Sequence, residues 1–233
     1  MITVKTCELF IEGRTRAWPW LAKTAYPWEI LPRIAGIIRE IGRGLDPDRY
    51  DNPAPDVWIA KSATVSPTAY IGAPAIIGEH TEVRQGAFIR GAALVGDACV
   101  VGNSTELKNV ILFDGVQVPH YNYVGDSVLG YKAHLGAGAI TSNVKSDRTP
   151  ITVKVSPLCA EMAEGLPVDT GLKKFGAMLG DFVEVGCNSV LNPGCVVGAH
   201  TNIYPLSSVR GVIPARSILK SGQGATLVAK NEG

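Results

Sequence analysis

Charge is scarce in this chain. Asp, Glu, Lys and Arg make up 18% of its 233 residues and leave a formal net charge of +1, so it carries no electrostatic footprint for nucleic acid or an anionic membrane surface. Cysteine is scarce as well. Cys7, Cys99, Cys159, Cys187 and Cys195 are odd in number and show no C-x-x-C spacing, which argues against a disulfide framework or a zinc knuckle. No histidines recur at three- or four-residue spacing, and no metal site is expected. No apolar run reaches membrane-spanning length, and the Met1 end lacks the basic, apolar, small-residue order of a secretory signal. A reducing cytoplasm is the expected compartment.

Glycine and proline are plentiful, at 26 and 15 residues, but most of the glycines fall on a period. An aliphatic or aromatic residue returns every sixth position at Ile59, Val65, Ile71, Ile77, Val83, Ile89, Val95, Val101, Leu107 and Phe113. Six fits neither an α-helix nor a long alternating strand, and it fits hexapeptide β-helix repeats. Each short strand points its anchor inward, and three hexapeptides make one triangular turn. Ala63, Ala69, Ala75, Ala87, Ala93 and Cys99, two before an anchor, fill the narrow space beside it. The expected fold is therefore an all-β parallel β-helix whose core accumulates turn by turn; periodicity does not give its hand.

Three regions surround this series. Residues 1–56 read as an N-terminal cap and linker: a β-prone piece from Thr3 to Glu12, then Ile30, Leu31, Ile34, Ile37, Ile38 and Ile41 at the spacing of an amphipathic helix stopped by Gly42 and Gly44. The cap is expected to close one end of the coil. The coil itself occupies 57–220. After Phe113 the period slips, since Val124 to Leu129 is five residues, and over 142–178 it vanishes into a long excursion expected to lie over a neighbouring surface. It resumes at Leu179, Val185, Leu191, Val197, Ile203, Val209 and Ala215, and 221–233 reads as a weakly held tail.

Chemistry is expected where regularity breaks. Arg90 and Lys108 each follow an anchor and occupy the same corner of adjacent eighteen-residue turns, about 4.8 Å apart along the stack. Like charges so placed repel, and an anion between them turns that repulsion into a clamp; two diverging, solvated corner residues are the structural alternative. The slip beside them surrounds His120, whose imidazole can take a proton near neutral pH. His134 opens the run Leu135-Gly-Ala-Gly-Ala-Ile-Thr141, whose small side chains expose backbone N–H groups.

Three ordered motifs, Gly102-Asn-Ser-Thr-Glu-Leu-Lys108, His120-Tyr-Asn-Tyr-Val-Gly-Asp126 and Gly136-Ala-Gly-Ala-Ile-Thr-Ser-Asn143, resemble the acetyltransferase domain of bifunctional bacterial glucosamine-1-phosphate acetyltransferase/uridylyltransferases and of archaeal-type sugar-phosphate nucleotidyltransferases. The resemblance implies a left-handed β-helix working as a homotrimer with sites between subunits. It implies acetyl transfer from acetyl-CoA to a hexosamine 1-phosphate in UDP-N-acetylglucosamine synthesis. Arg90, Lys108 and Tyr123, with His134 where asparagine is usual, would bind the sugar phosphate, and His120 would be the general base. Ala137, Asn143 and Cys187 would contact acetyl-CoA, the Ala137 N–H meeting the thioester oxyanion. Val144 replaces a usual tyrosine and Cys187 a usual serine, and the long excursion is similar to the archaeal-type branch, which admits galactosamine phosphates. Residues before Asp56 are too few for the family's nucleotidyltransferase half, so uridylyl transfer is not expected. The competing expectations are an acyltransferase on another amine or hydroxyl, and a non-catalytic trimer that binds sugar phosphates.

Overall fold

A computed structural model describes residues 4–158, 167–220 and 226–229. From Val57 the chain winds as a left-handed parallel β-helix with three flat faces. Face one stacks Val57–Ala60, Ala75–Ile77, Ala93–Val95, Ala177–Leu179, Cys195–Val197 and Val212–Ile213. Face two includes Tyr70–Ile71, Phe88–Ile89, Ile140–Thr141, Val190–Leu191 and Ser208–Val209. Face three runs from Thr64–Val65 and Glu82–Val83 through Gln117–His120 and His134–Leu135 to Ser217–Lys220. The inward anchors Ile77, Val83, Ile89, Val95, Val101 and Leu107 are buried, as are the small residues Ala75, Ala87, Ala93 and Cys99 beside them.

Two turns are one residue short. Val95 pairs with Leu112, Leu107 with Val124 and Leu112 with Leu129, so the slip begins at Lys108 and the inward anchor is Leu112, not Phe113. In a regular corner Gly91 and Ala92 both take positive φ, at 119° and 50°; in the short ones a single residue does the work, Asn109 at 55° and Asp126 at 49°. Asn and Asp tolerate this left-handed region better than other side chains. Because the corner is absorbed, faces two and one share the continuous strands Glu106–Leu112 and Tyr123–Leu129. Phe113 instead packs outside the coil on Phe10, with ring centroids 4.9 Å apart. Near the end the register shortens again: Val197 pairs with Ile213, and Ala215 is a half-buried corner residue, not an anchor.

The N-terminal segment differs from expectation in form and place. Thr6–Leu9 is one turn of α-helix, not a strand. The apolar periodicity covers a 3-10 stretch, Pro27–Arg33, running into an α-helix, Ile34–Arg43; Pro32, without an N–H, cannot donate to an α-helical ladder. Most of the segment lies along face one, and only Tyr50–Ala54 reaches an end of the coil, where it pairs antiparallel with Val57–Ala60. The first turn is covered along that one strand only, with Ile59, Val65 and Ile71 half-buried, whereas the outward residues Ile76, Leu94, Ile111, Val128 and Met178 of face one are all buried. A strand whose outward residues are apolar needs cover on both sides, and this segment supplies it. Backbone bonds lace it down: Asp114 N donates to Arg14 O at 3.0 Å and Asp181 N to Leu9 O at 3.1 Å.

The chain leaves the coil after Thr141 and returns at Ala177. The excursion folds back on its own subunit. Thr152–Val153 pairs antiparallel with Val168–Asp169, and Val155 bridges in parallel to Val212. Thr226–Ala229, within the stretch read as a weakly held tail, pairs antiparallel with Ser217–Lys220. Residues 221–225 and 230–233 lie outside the described residues.

Trp28 ties these parts together. It is buried, stacked on Tyr26 at 4.7 Å and tilted against Phe175, two residues before re-entry, at 5.6 Å. Trp28→Ala is expected to lower stability by about 3–5 kcal/mol in denaturant titration; a loss under about 1 kcal/mol would mean that the segment is not integral to face one.

Candidate functional site

The expected site residues fall on two edges of face two. Along the edge shared with face one, Ile89 pairs with Leu107, so Arg90 and Lys108, one residue on from each, stack in successive turns. Neither cation is unpaired. Arg90 Nη1 donates to Glu106 Oε1 at 2.7 Å, and Lys108 Nζ lies 3.4 Å from Asp126 Oδ2. Tyr123 follows Glu106 in register on the outward row of face two. Burial, reinforced by the Asp126 carboxylate, holds its phenol pKa above the ordinary value, and its hydroxyl accepts from Asn143 Nδ2 at 3.2 Å.

At the centre of this edge is a residue that sequence reading did not single out. Asp126 is 4% exposed. Its Oδ1 accepts from Asn109 Nδ2 at 2.9 Å and its Oδ2 from Asn143 Nδ2 at 2.5 Å. Asn109, Asp126 and Asn143 occupy one column of consecutive turns, seventeen residues apart, a spacing readable only once both short turns are recognised. Asn109 Nδ2 also donates to Leu31 O in the N-terminal segment at 3.2 Å.

His120 sits on the other edge, between faces three and two, at the end of Gln117–His120. Its turn is fixed from beneath by Asn122, which is 2% exposed: its Oδ1 accepts from His120 N, and its Nδ2 donates to Gly136 O and Ala139 O at 2.9 and 3.0 Å. Gly138 N donates to His120 O at 3.0 Å. The strand also needs Gly102 behind it, since a Cβ there would lie 1.6 Å from Pro119 O. Gln117 pairs with His134, and Leu135 with Val185, so His120, Ala137 and Cys187, each two residues past an anchor, stack along this edge in consecutive turns. The imidazole lines a depression with Ser66, Arg84, Gln85 and Asn103. Cys187 is exposed, whereas burial pushes the Cys99 and Cys195 thiols up to about 12 and leaves them unreactive. Cys159 lies outside the described residues.

His134 belongs to neither edge. It faces outward from face three, its Nδ1 2.7 Å from Glu184 Oε2. One subunit thus brings Lys108, Tyr123 and Asn143 together, and separately aligns His120, Ala137 and Cys187, without closing a pocket around both sets. Between the two edges, Tyr70 and Phe88 are 58% and 43% exposed on face two. Among the described residues no three His, Cys, Asp or Glu side chains converge as a metal site would require, and no helix is long and apolar enough to cross a membrane.

No family model matches the chain. It is 30% identical over 198 residues to the bifunctional protein GlmU of Methanococcus vannielii, an alignment covering 81% of this chain and 41% of the relative. It is 34% identical over 102 residues to a bifunctional sugar-1-phosphate nucleotidylyltransferase/acetyltransferase of Sulfurisphaera tokodaii, covering 44% of this chain and 23% of that one. The chain thus spans well under half the length of these relatives. The acetyltransferase domain of PglB from Neisseria gonorrhoeae, solved with acetyl coenzyme A, aligns over 74% of this chain and 58% of its own at 18% identity, with a TM-score of 0.35, too loose a fit to bear on function. The resemblance read from the three motifs is borne out by the sequence matches: the chain is a homologue of part of the bifunctional GlmU proteins.

Proposed function

We propose that this protein is an acetyl-CoA-dependent N-acetyltransferase acting on a hexosamine 1-phosphate, assembled as a homotrimer in the cytoplasm. The observation that carries the reading is the sorting of the expected residues onto the two edges of one open face. A second subunit covering face two would set the His120 edge of one copy against the Lys108 edge of another, and the exposed Tyr70 and Phe88 are the kind of surface such a partner covers.

In this reading Arg90 and Lys108 hold the phosphate, exchanging part of their pairing with Glu106 and Asp126 for the more highly charged ligand. Tyr123 orients the sugar. The free amine attacks the thioester carbonyl of acetyl-CoA, lying along Ala137 and Cys187, while His120 takes the proton that the nitrogen loses. The Ala137 N–H receives the developing oxyanion. As the tetrahedral intermediate collapses the C–S bond breaks, the new C–N bond remains, and the departing thiolate takes up a proton. The product is an N-acetylhexosamine 1-phosphate, a precursor for sugar-nucleotide synthesis.

One observation favours a second reading. Both cations already have carboxylate partners, and His134 bonds to Glu184, so an acceptor with less charge than a phosphate monoester, another amine or a hydroxyl, also fits the edge.

His120→Ala is expected to lower acetyl transfer by about a hundredfold or more, the usual scale for loss of a general base; turnover close to wild type would remove His120 from the mechanism. Acetyl-CoA is expected to slow alkylation of Cys187, followed by peptide mass spectrometry, while leaving Cys7, which is also exposed, unchanged. Equal protection of both, or of neither, would detach the Ala137–Cys187 edge from the cofactor.

A further inference from the structure

The short corners hold an asymmetry that backbone geometry does not require. Asn109 and Asp126 are equivalent residues of consecutive turns, with φ of 55° and 49°. Asparagine meets the conformational demand at 109, so it would meet it at 126 as well. A column of three asparagines could satisfy its own hydrogen bonds, amide to carbonyl. Instead the central member is a carboxylate, 4% exposed, and burying a charge is costly unless it is paired. Its partners show what the charge is for. Two are the neutral amides of Asn109 and Asn143, at 2.9 and 2.5 Å, and the third is the Lys108 ammonium at 3.4 Å. Through Asn143 the group reaches the Tyr123 hydroxyl, and through Asn109 it reaches Leu31 O.

We infer that Asp126 is a positioning residue for the sugar-phosphate acceptor. It holds Lys108 and, through Asn143, Tyr123 in the orientation that receives the ligand, and it anchors that edge to the N-terminal segment. The inference rests on the proposed acetyltransferase reading. A lysine side chain gives up substantial rotamer freedom when fixed; Asp126 settles that cost before the ligand arrives, so the phosphate meets an oriented ammonium on a side chain 27% exposed. Asp126 itself need not touch the ligand. The carboxylate also repels a phosphate, so the two effects carry opposite signs. Preorganisation is the larger, because the repelling charge is already spread over three donors.

The test is calorimetric titration of glucosamine 1-phosphate and galactosamine 1-phosphate into wild type, Asp126→Asn, Lys108→Ala and the double variant, with thermal unfolding as control. Asp126→Asn keeps the size and the left-handed corner while deleting the charge. It is expected to weaken binding of the preferred sugar phosphate about tenfold, the scale of losing a hydrogen bond to a charged group. In turnover it raises KM while changing kcat less than about threefold, as for an interaction made equally in ground and transition states. The double variant is expected to bind more weakly than Lys108→Ala alone by clearly less than tenfold, because Asp126 acts partly through that lysine and partly through Asn143 and Tyr123. Additive losses, unchanged affinity, or tighter binding by Asp126→Asn would each overturn the inference, the last showing repulsion to dominate. Should Asp126→Asn fail to fold, Asp126→Glu keeps the charge and lengthens the arm; a severalfold weakening supports positioning, and wild-type affinity overturns it. If wild type binds neither sugar phosphate, the acceptor reading fails and this inference with it. If wild type binds and the variants match it, the positioning alone fails.

Discussion

Turn-to-turn register is the constraint on which the rest of this molecule depends. Each inward anchor sits under the equivalent anchor of the turn before, as Val83 does under Val65 and Ile77 under Ile59, and every corner residue inherits its place from that stacking. No local motif makes a column of Arg90 and Lys108, or of His120, Ala137 and Cys187; the repeat length does. A one-residue shortening at Asn109, repeated at Asp126, keeps the columns aligned because both turns shorten together. It also removes a glycine corner and puts in its place side chains that can hydrogen-bond, so the deviation from regularity is itself what builds the polar edge.

Cover is the second determinant. Face one is apolar on both sides and is covered by the chain's own N-terminal segment, with the excursion continuing its edge at Val212. Face three presents Thr64, Glu82, Gln117, His134 and Glu184 outward and is suited to water. Face two, flanked by both edges, keeps exposed aromatic residues. The N-terminal segment thus has two roles: burying face one, and reaching through Leu31 into the Asn109–Asp126–Asn143 column.

The coil was legible in the sequence because an inward anchor must be apolar and the space beside it small, at every sixth residue. Where an apolar residue followed the true anchor, periodicity misled: Phe113 kept the count that Leu112 had already broken, and Ala215 did the same after Ile213. The site was half legible. Stacking Arg90 on Lys108 followed from the period alone, but the Asn109–Asp126–Asn143 column did not, since Asp126 falls opposite Asn109, and Gly125 opposite Lys108, only after the short turns are assigned. The position of the N-terminal segment had a signal that went unread: Ile76, Leu94 and Ile111 are apolar where an uncovered face would carry polar groups. The helical turn at Thr6–Leu9 had none, because packing on the coil outweighs the propensity of four residues.

The account stands most directly on a measurement of thiol release from acetyl-CoA by the purified protein, offered glucosamine 1-phosphate, galactosamine 1-phosphate and unphosphorylated glucosamine in parallel. It predicts release that depends on the phosphate, with the ratio between the two sugar phosphates naming the acceptor. Equal release with the unphosphorylated sugar, or none with any of the three from a folded protein that binds acetyl-CoA, would contradict it.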